Sequence, residues 1–419
     1  MKKLSLTLLV ATASALSFTS CFGDSDDDNK IFTIDPPFVV VPGDAVILSA
    51  NETANCYIVK PGSLVAFSTA LKGNSTTETT GDVAACRLLW SDTPKLIETV
   101  YYVPGEKMAV VDAGDGIEGN AVIAATDPKG TILWSWHLWI TDYDPDASAY
   151  TTQPNASGTT WTFMDRNLGA LSAKPSDKFR THGMLYQWGR KDPFPAPSDS
   201  TKMEEDSYEY LPGRDGETVL YDIEGNTLPA IRTLTKYHGT IAKSVTNPMT
   251  FYAMTYRNTG ETDEQGNEIV VNDPLTGDWT DQSDDDLWGG ESGKKTIYDP
   301  CPPGWKVPVS DTDGNTPYDW MKFASMTWSD ENLGAIQDGQ WFPACGTRVY
   351  ASGGCDLGHD NPYGAMWFGT KGKASSDLAT YPTLYGQYMF IINGKRTFKV
   401  NKDKRSQAMS LRAVRDTKQ

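Results

Sequence analysis

Four histidines, six cysteines and a surplus of carboxylates are the residues from which this chain of 419 could build chemistry. A zinc centre needs Cys or His ligands at short spacing, yet His137, His182, His238 and His359 are scattered. In CDLGHD, Cys355 and His359 stand one helical turn apart, but the surrounding glycines indicate a loop and no further ligands accompany them. Oxygen ligands for calcium occur in SDTDGN (Asp311, Asp313, Asn315) and DQSDDD (Asp284 to Asp286), without EF-hand spacing or its closing Glu. Solvated acidic turns account for both, so calcium is unsupported and no metal or other cofactor is expected. The hydrolytic signatures GxSxG and HExxH are missing and the carboxylates show no diagnostic pairing. No catalytic residue is assigned, and the chain is not expected to be an enzyme.

The elements that would position any site are read from composition and period. Gly 37 with Pro 25, and aromatic content of 11%, mark a turn-rich chain, and the length suggests two or three domains. The expected class is β-rich α+β. A formal net charge of -17 without basic clusters removes the electrostatic footprint of nucleic-acid binding. From residue 31 to 143, short apolar runs alternate with turns, and Ile132, Trp134, Trp136, Leu138 and Ile140 share one face at a period of two. That pattern predicts an antiparallel β-sandwich. His137, inside the same run, reads as a half-buried histidine rather than a ligand. Residues 144–419 are loop-rich, with a polar excursion near 198–272 and one helical pattern, TPYDWMKFASM, in which Asp319 is placed to cap the first turn. The stretch YDPCPPGWKVP, Tyr298 to Pro308, carries too many prolines for a helix or central strand and predicts a rigid loop holding Cys301 and Trp305.

The first twenty residues have a Lys2–Lys3 n-region and an apolar stretch too short to span a bilayer, which is an export signal. SFTSC resembles a bacterial lipobox, with Phe18 where that motif prefers Leu, and implies that Cys21 is acylated and anchors the mature chain. Residues 21–30 form an acidic tether that resembles the surface-export signal of Bacteroidetes lipoproteins.

Four islands, WTFMDRNLGA (with Asp165, Arg166, Asn167), LYQWGRKDPFP (with Trp188), KTIYDPCPPGWKVP (with Cys301, Trp305, Pro308) and SLRAVRD, resemble in this order the Fibrobacter succinogenes major paralogous domain. TANCYIV and ILWSWHLWITDY are similar to the N-terminal half of fimbrillin-like Bacteroides lipoproteins. The resemblance implies a C-type-lectin-like, formylglycine-generating-enzyme-like second domain, in which the proline loop launches the helix near Tyr318, Trp305 plugs the core between them, and a final strand closes beside the first. Relatives carry Cys in their C-terminal RCVR, but Ala413 stands here, so Cys301 has lost its implied partner. The reactive cysteine pair of the formylglycine-generating enzymes has no matching motif. Cys345 and Cys355 bracket a turn-forming stretch that a disulfide could close, and Cys56 with Cys86 is conceivable across the sandwich.

Binding remains. Tyr350, Tyr363, Trp367, Tyr381, Tyr385 and Tyr388 lie among Gly, Asn and Asp, a combination that suits sugar or protein surfaces, although each ring is equally a candidate for the core. The expected function is a cell-surface fimbrial-type adhesin, a tip or accessory subunit. Its partners would be other fimbrial subunits by strand exchange, a surface glycan or protein, and the outer membrane through the lipid anchor, with release into fimbriae as a variant location. The alternative is a surface glycan-binding lipoprotein for saccharide capture.

Overall fold

The computed structural model describes residues 40–198, 216–229, 231–234, 239–253, 257–262, 264–266, 268–271, 277–281, 283–321, 326–358, 362–372, 385–392 and 397–417. The export signal, Cys21, the tether, His238, His359 and Tyr381 lie outside the described residues. The class is β-rich, and no sheet closes into a barrel.

Eight strands build a sandwich: β1 (Val46–Ile47), β2 (Cys56–Val59), β3 (Leu64–Ser68), β4 (Ala85–Ser91), β5 (Ile97–Val103), β6 (Met108–Ala113), β7 (Gly119–Thr126) and β8 (Ile132–Ile140). One sheet has the order β1-β3-β6-β5, the other β2-β8-β7-β4. Val65, Phe67, Ala109 and Val111 of the first pack in one cluster with Ile123, Trp134, Trp136, Leu138 and Ile140 of the second. The expected antiparallel pattern holds except at two edges, where β1 runs parallel to β3 and β2 parallel to β8. Parallel neighbours need a crossover, and the chain supplies one by visiting the opposite sheet before returning.

The strict period of two in β8 suggests one buried face, but β7 is buried throughout and β8 nearly so. The reason is a second layer. Val122 and Trp139, on the outer face, share a core with Met184, Tyr186, Trp188, Trp305 and Leu411 from beyond residue 144. A strand covered on both faces must be apolar on both, which is why the run reads AVIAA and LWSWHLWI. Residues 40–419 accordingly form one compact unit.

In the second layer the strands Phe194–Pro195, Met184–Gln187, Ala408–Ser410, Tyr363–Gly372, Tyr385–Ile392 and Thr397–Lys404 follow one another across the largest sheet. A smaller sheet places Val414–Arg415 between Thr162–Phe163 and Trp305–Lys306, with Phe163 opposite Val414 and Trp305 opposite Arg415. Buried arginines, each with five donors, bond carbonyls in loops and on short strands. Arg190 donates to the carbonyls of Thr250 (2.7 Å) and Pro248 (2.9 Å), Arg348 to Pro195 (3.1 Å) and Arg412 to Trp341 (2.6 Å).

The helix expected after Thr316 is described only at its start, since residues 322–325 lie outside the described residues. Its described residues form turns, and the cap is Thr316: Asp319 reaches back to accept the Thr316 amide at 2.7 Å and its hydroxyl at 2.6 Å. This is the reciprocal half of a capping box, in which the acidic residue sits three positions inside rather than at the cap. Tyr318 packs with Phe163 and Phe368 and not in the cluster that holds Trp305. Trp305 therefore plugs the layer against the sandwich instead of a gap between loop and helix.

Candidate functional site

The proline loop explains its own sequence. Pro302 and Pro303 precede Gly304 at φ 75°, and the Trp305 amide donates back to the Pro302 carbonyl at 3.1 Å, a turn whose third position requires positive φ. Inside the loop lies a buried ion pair. Lys295 Nζ donates to Asp299 Oδ1 (2.7 Å) and to the carbonyls of Cys301 and Trp305 (2.8 Å each). The Asp299 carboxylate also accepts the amides of Cys301 (2.8 Å) and Val307 (2.9 Å). Burial alone would lower the Lys295 ammonium, but Asp299 beside it holds its pKa above the ordinary value. Prolines remove donors and fix φ, and the Lys295–Asp299 pair ties together the polar groups that remain. The Pro308 carbonyl accepts from Gly369 and fastens the loop to the largest sheet.

The other motif residues are scaffolding as well. Arg166 pairs with Asp165 at 2.8 Å and stacks 3.9 Å over Tyr143. Asn167, fully buried, donates to the His182 carbonyl (3.2 Å) and accepts from Arg412 (3.4 Å), joining the first island to the last. Trp188 is buried beneath Arg405 at 4.0 Å and donates to the Phe368 carbonyl.

Neither suggested disulfide forms. Cys345 and Cys355 are both buried, but the hairpin register sets Cys355 opposite Arg348, so Cys345 lies beyond the paired positions. Cys56 and Cys86 occupy opposite edges of one sheet, with β8 and β7 between them, instead of facing across the sandwich. Cys301 lies in the main core with Ala413, and burial pushes its thiol well up. The aromatic set expected to face outward does not do so together. Trp367 and Tyr388 are core residues, while Tyr350, Tyr363 and Tyr385 are partly buried.

Two polar groupings resemble nucleophile arrangements in residue type. Cys56 Sγ lies 3.4 Å from His137 Nδ1, and His137 Nε2 lies 2.9 Å from Asn120 Oδ1. Burial raises the Cys56 thiol and lowers His137 to about 3, so the thiolate–imidazolium form is disfavoured at both ends. Lys191 donates to Ser135 Oγ (2.6 Å) and Asp192 Oδ1 (2.7 Å), and all three side chains are buried. These groupings cross-link β8 to its neighbours. The sequence reading of His137 as satisfied is right in kind, although the residue is buried rather than half-buried.

His182 is also held low by burial, at about 4, against 6.5 for the free imidazole. Since both folded values lie below the unfolded one, the unfolded chain takes up protons first, and stability present above about pH 6.5 is lost as pH falls toward them. Between about pH 7 and pH 5 each histidine should remove on the order of 2 kcal/mol. Urea midpoints across that range would measure the loss, and His182→Gln should flatten the slope. A midpoint indifferent to pH would refute the assignment.

A cleft of about 950 Å³ lies where the two layers meet. Ser49 to Thr53 and Asn74 to Thr76 form one wall; Thr159 to Thr162, Val309 to Thr312 and Arg415 to Thr417 form the other. Glu52 accepts from the Gly304 amide at 3.1 Å, and Asn74 donates to the Lys295 carbonyl at 2.9 Å, so the proline segment supports the first wall. Its charged groups are engaged within the protein. Lys306 donates to the Gly293 carbonyl (2.7 Å) and lies 3.3 Å from Asp416, and Arg415 binds Asp146 (2.5 Å) while stacking 4.1 Å over Trp305. Asp311 is pinned by Asn155 (2.7 Å) and by the Asn315 amide (2.9 Å); against a desolvation cost, these donors bring its carboxyl to about 2. The turn once weighed for calcium is filled by amides.

Sequence reasoning missed this cleft. Its only trace is a set of Ser/Thr/Asn-rich turns, SANET, GNSTTET and GTTW, that are far apart in the chain. Among the described residues no group of three or more potential metal ligands occurs. Compared with known proteins, the chain matches no family model, no curated sequence and no solved structure.

Proposed function

We propose that this is a surface attachment protein of the fimbrial type, anchored through Cys21, that holds a glycan or protein ligand in the cleft between its layers. The observation that carries the reading is the cleft itself: large, polar and built from loops on a rigid double-layered support.

Assembly is supported by the sandwich edge. β1 has two residues, pairs among the described residues with Val65 and Ala66, and leaves Val46 56% and Ile47 39% exposed. A short apolar edge of this kind is readily replaced by a partner's strand. The export signal and acidic tether fit a protein displayed outside the cell. Deleting the protein should reduce attachment of intact cells severalfold without changing growth on polysaccharides. A deletion strain that attaches normally but fails to grow on one glycan would transfer the reading to saccharide capture.

A further inference from the structure

The chemistry left open in the cleft is narrower than its size suggests. The cations that line it are committed: Lys306 to Asp416 and a carbonyl, Arg415 to Asp146, Lys295 to Asp299. Asp311 is saturated by Asn155 and Asn315. A charged ligand would compete with these pairs, at high cost for the buried Lys295–Asp299 and at low cost for the exposed Arg415–Asp146. Glu52 accepts from the Gly304 amide, and the other charged side chains, Lys294 and Glu291, are exposed and of opposite sign, with Glu291 3.9 Å from Lys371.

What the walls offer instead are short neutral donors and acceptors. The side chains of Asn51, Thr53, Thr160 and Thr312 make no hydrogen bond among the described residues and come from both walls. Between them sits Trp161. Its partly buried ring packs against the cluster of Phe163 and Tyr318 and also lines the cleft. A half-buried ring held from behind is a rigid apolar platform. Hydroxyl and amide groups around such a platform match a ligand with apolar C–H faces and a rim of hydroxyls. The volume, about 950 Å³, is near the upper limit of small-molecule pockets and suits a chain of rings better than one ring.

We propose that the cleft takes a neutral oligosaccharide, with one ring stacked on Trp161 and its hydroxyls bonded by Asn51, Thr53, Thr160 and Thr312. The inference rests on reading this cleft as the ligand site and specifies the ligand as an uncharged glycan, not a peptide or a uronic-acid polymer.

The test applies the full chain to an array carrying neutral hexasaccharides of glucose, mannose and N-acetylglucosamine beside oligogalacturonates, sialylated glycans and peptides. Retention of at least one neutral glycan, insensitive to added salt, is expected. Trp161→Ala should weaken it at least about tenfold, as loss of a single anchoring ring does. Because Trp161 also packs inward, Asn51→Ala with Thr160→Ala is the second variant, expected to weaken binding severalfold with an unchanged melting temperature. Retention of charged glycans alone, neutral binding untouched by both variants, or retention of peptides alone would overturn the inference. The last result would leave the attachment reading standing. Trp161-dependent neutral binding together with normal attachment of the deletion strain would overturn attachment and leave this inference intact.

Discussion

Lys295→Met is expected to lower folding stability by about 3–5 kcal/mol, the loss typical of removing one member of a buried ion pair. Lys295 and Asp299 side chains are 2% and 1% exposed, so neither charge can turn to water when its partner disappears. The carboxylate would keep its two amide donors but lose the Lys295 ammonium, and the carbonyls of Cys301 and Trp305 would lose a donor each. Three of the loop's polar groups are thus disturbed by one substitution. Asp299→Asn should also destabilise, since it leaves the ammonium unpaired. The double variant should cost less than the sum of the two, because the pair is one unit. Urea unfolding measures all three. A Lys295→Met variant within about 1 kcal/mol of the parent would mean that the pair behaves like a surface salt bridge. The same variant should weaken ligand retention, because the loop supports Glu52 and Asn74 on one wall of the cleft and carries Lys306 beside the other.

Trp305→Ala should cost a comparable amount, about 3–5 kcal/mol. The ring is 1% exposed and belongs to the core shared by both layers. Arg415 stacks on it at 4.1 Å and is its register partner, so truncation also releases the C-terminal strand from one side. Trp305→Phe should recover more than half of the loss by refilling most of the volume. Thermal melting distinguishes this role from ligand contact: a Trp305→Ala protein that melts like the parent yet releases its ligand would make Trp305 a binding residue.

The local chemistry of the chain was legible in the sequence wherever one residue type has one physical use. The prolines of YDPCPPGWKVP dictate a rigid loop, Gly304 supplies its positive φ, and the alternation around Trp134 and Trp136 dictates a strand. The β-rich class follows from the same signals. Tertiary structure decided what those elements face. The period of two in β8 cannot say that Trp139 and His137 are buried as well, because burial of the second face depends on a layer formed by residues beyond the strand, from Tyr143 to Leu411. The parallel edges of β1 and β2 depend on which sheet the chain visits next, and alternation is blind to strand direction. Cysteine spacing suggested bridges that hairpin register and sheet order keep apart. The cleft was the least legible feature. Asn51, Thr160 and Thr312 are ordinary turn residues in isolation, and only the packing of the proline loop against both layers brings them around Trp161. Period and turn chemistry act over a few residues, whereas a site assembled from loops exists only after long-range burial has chosen which loops become neighbours.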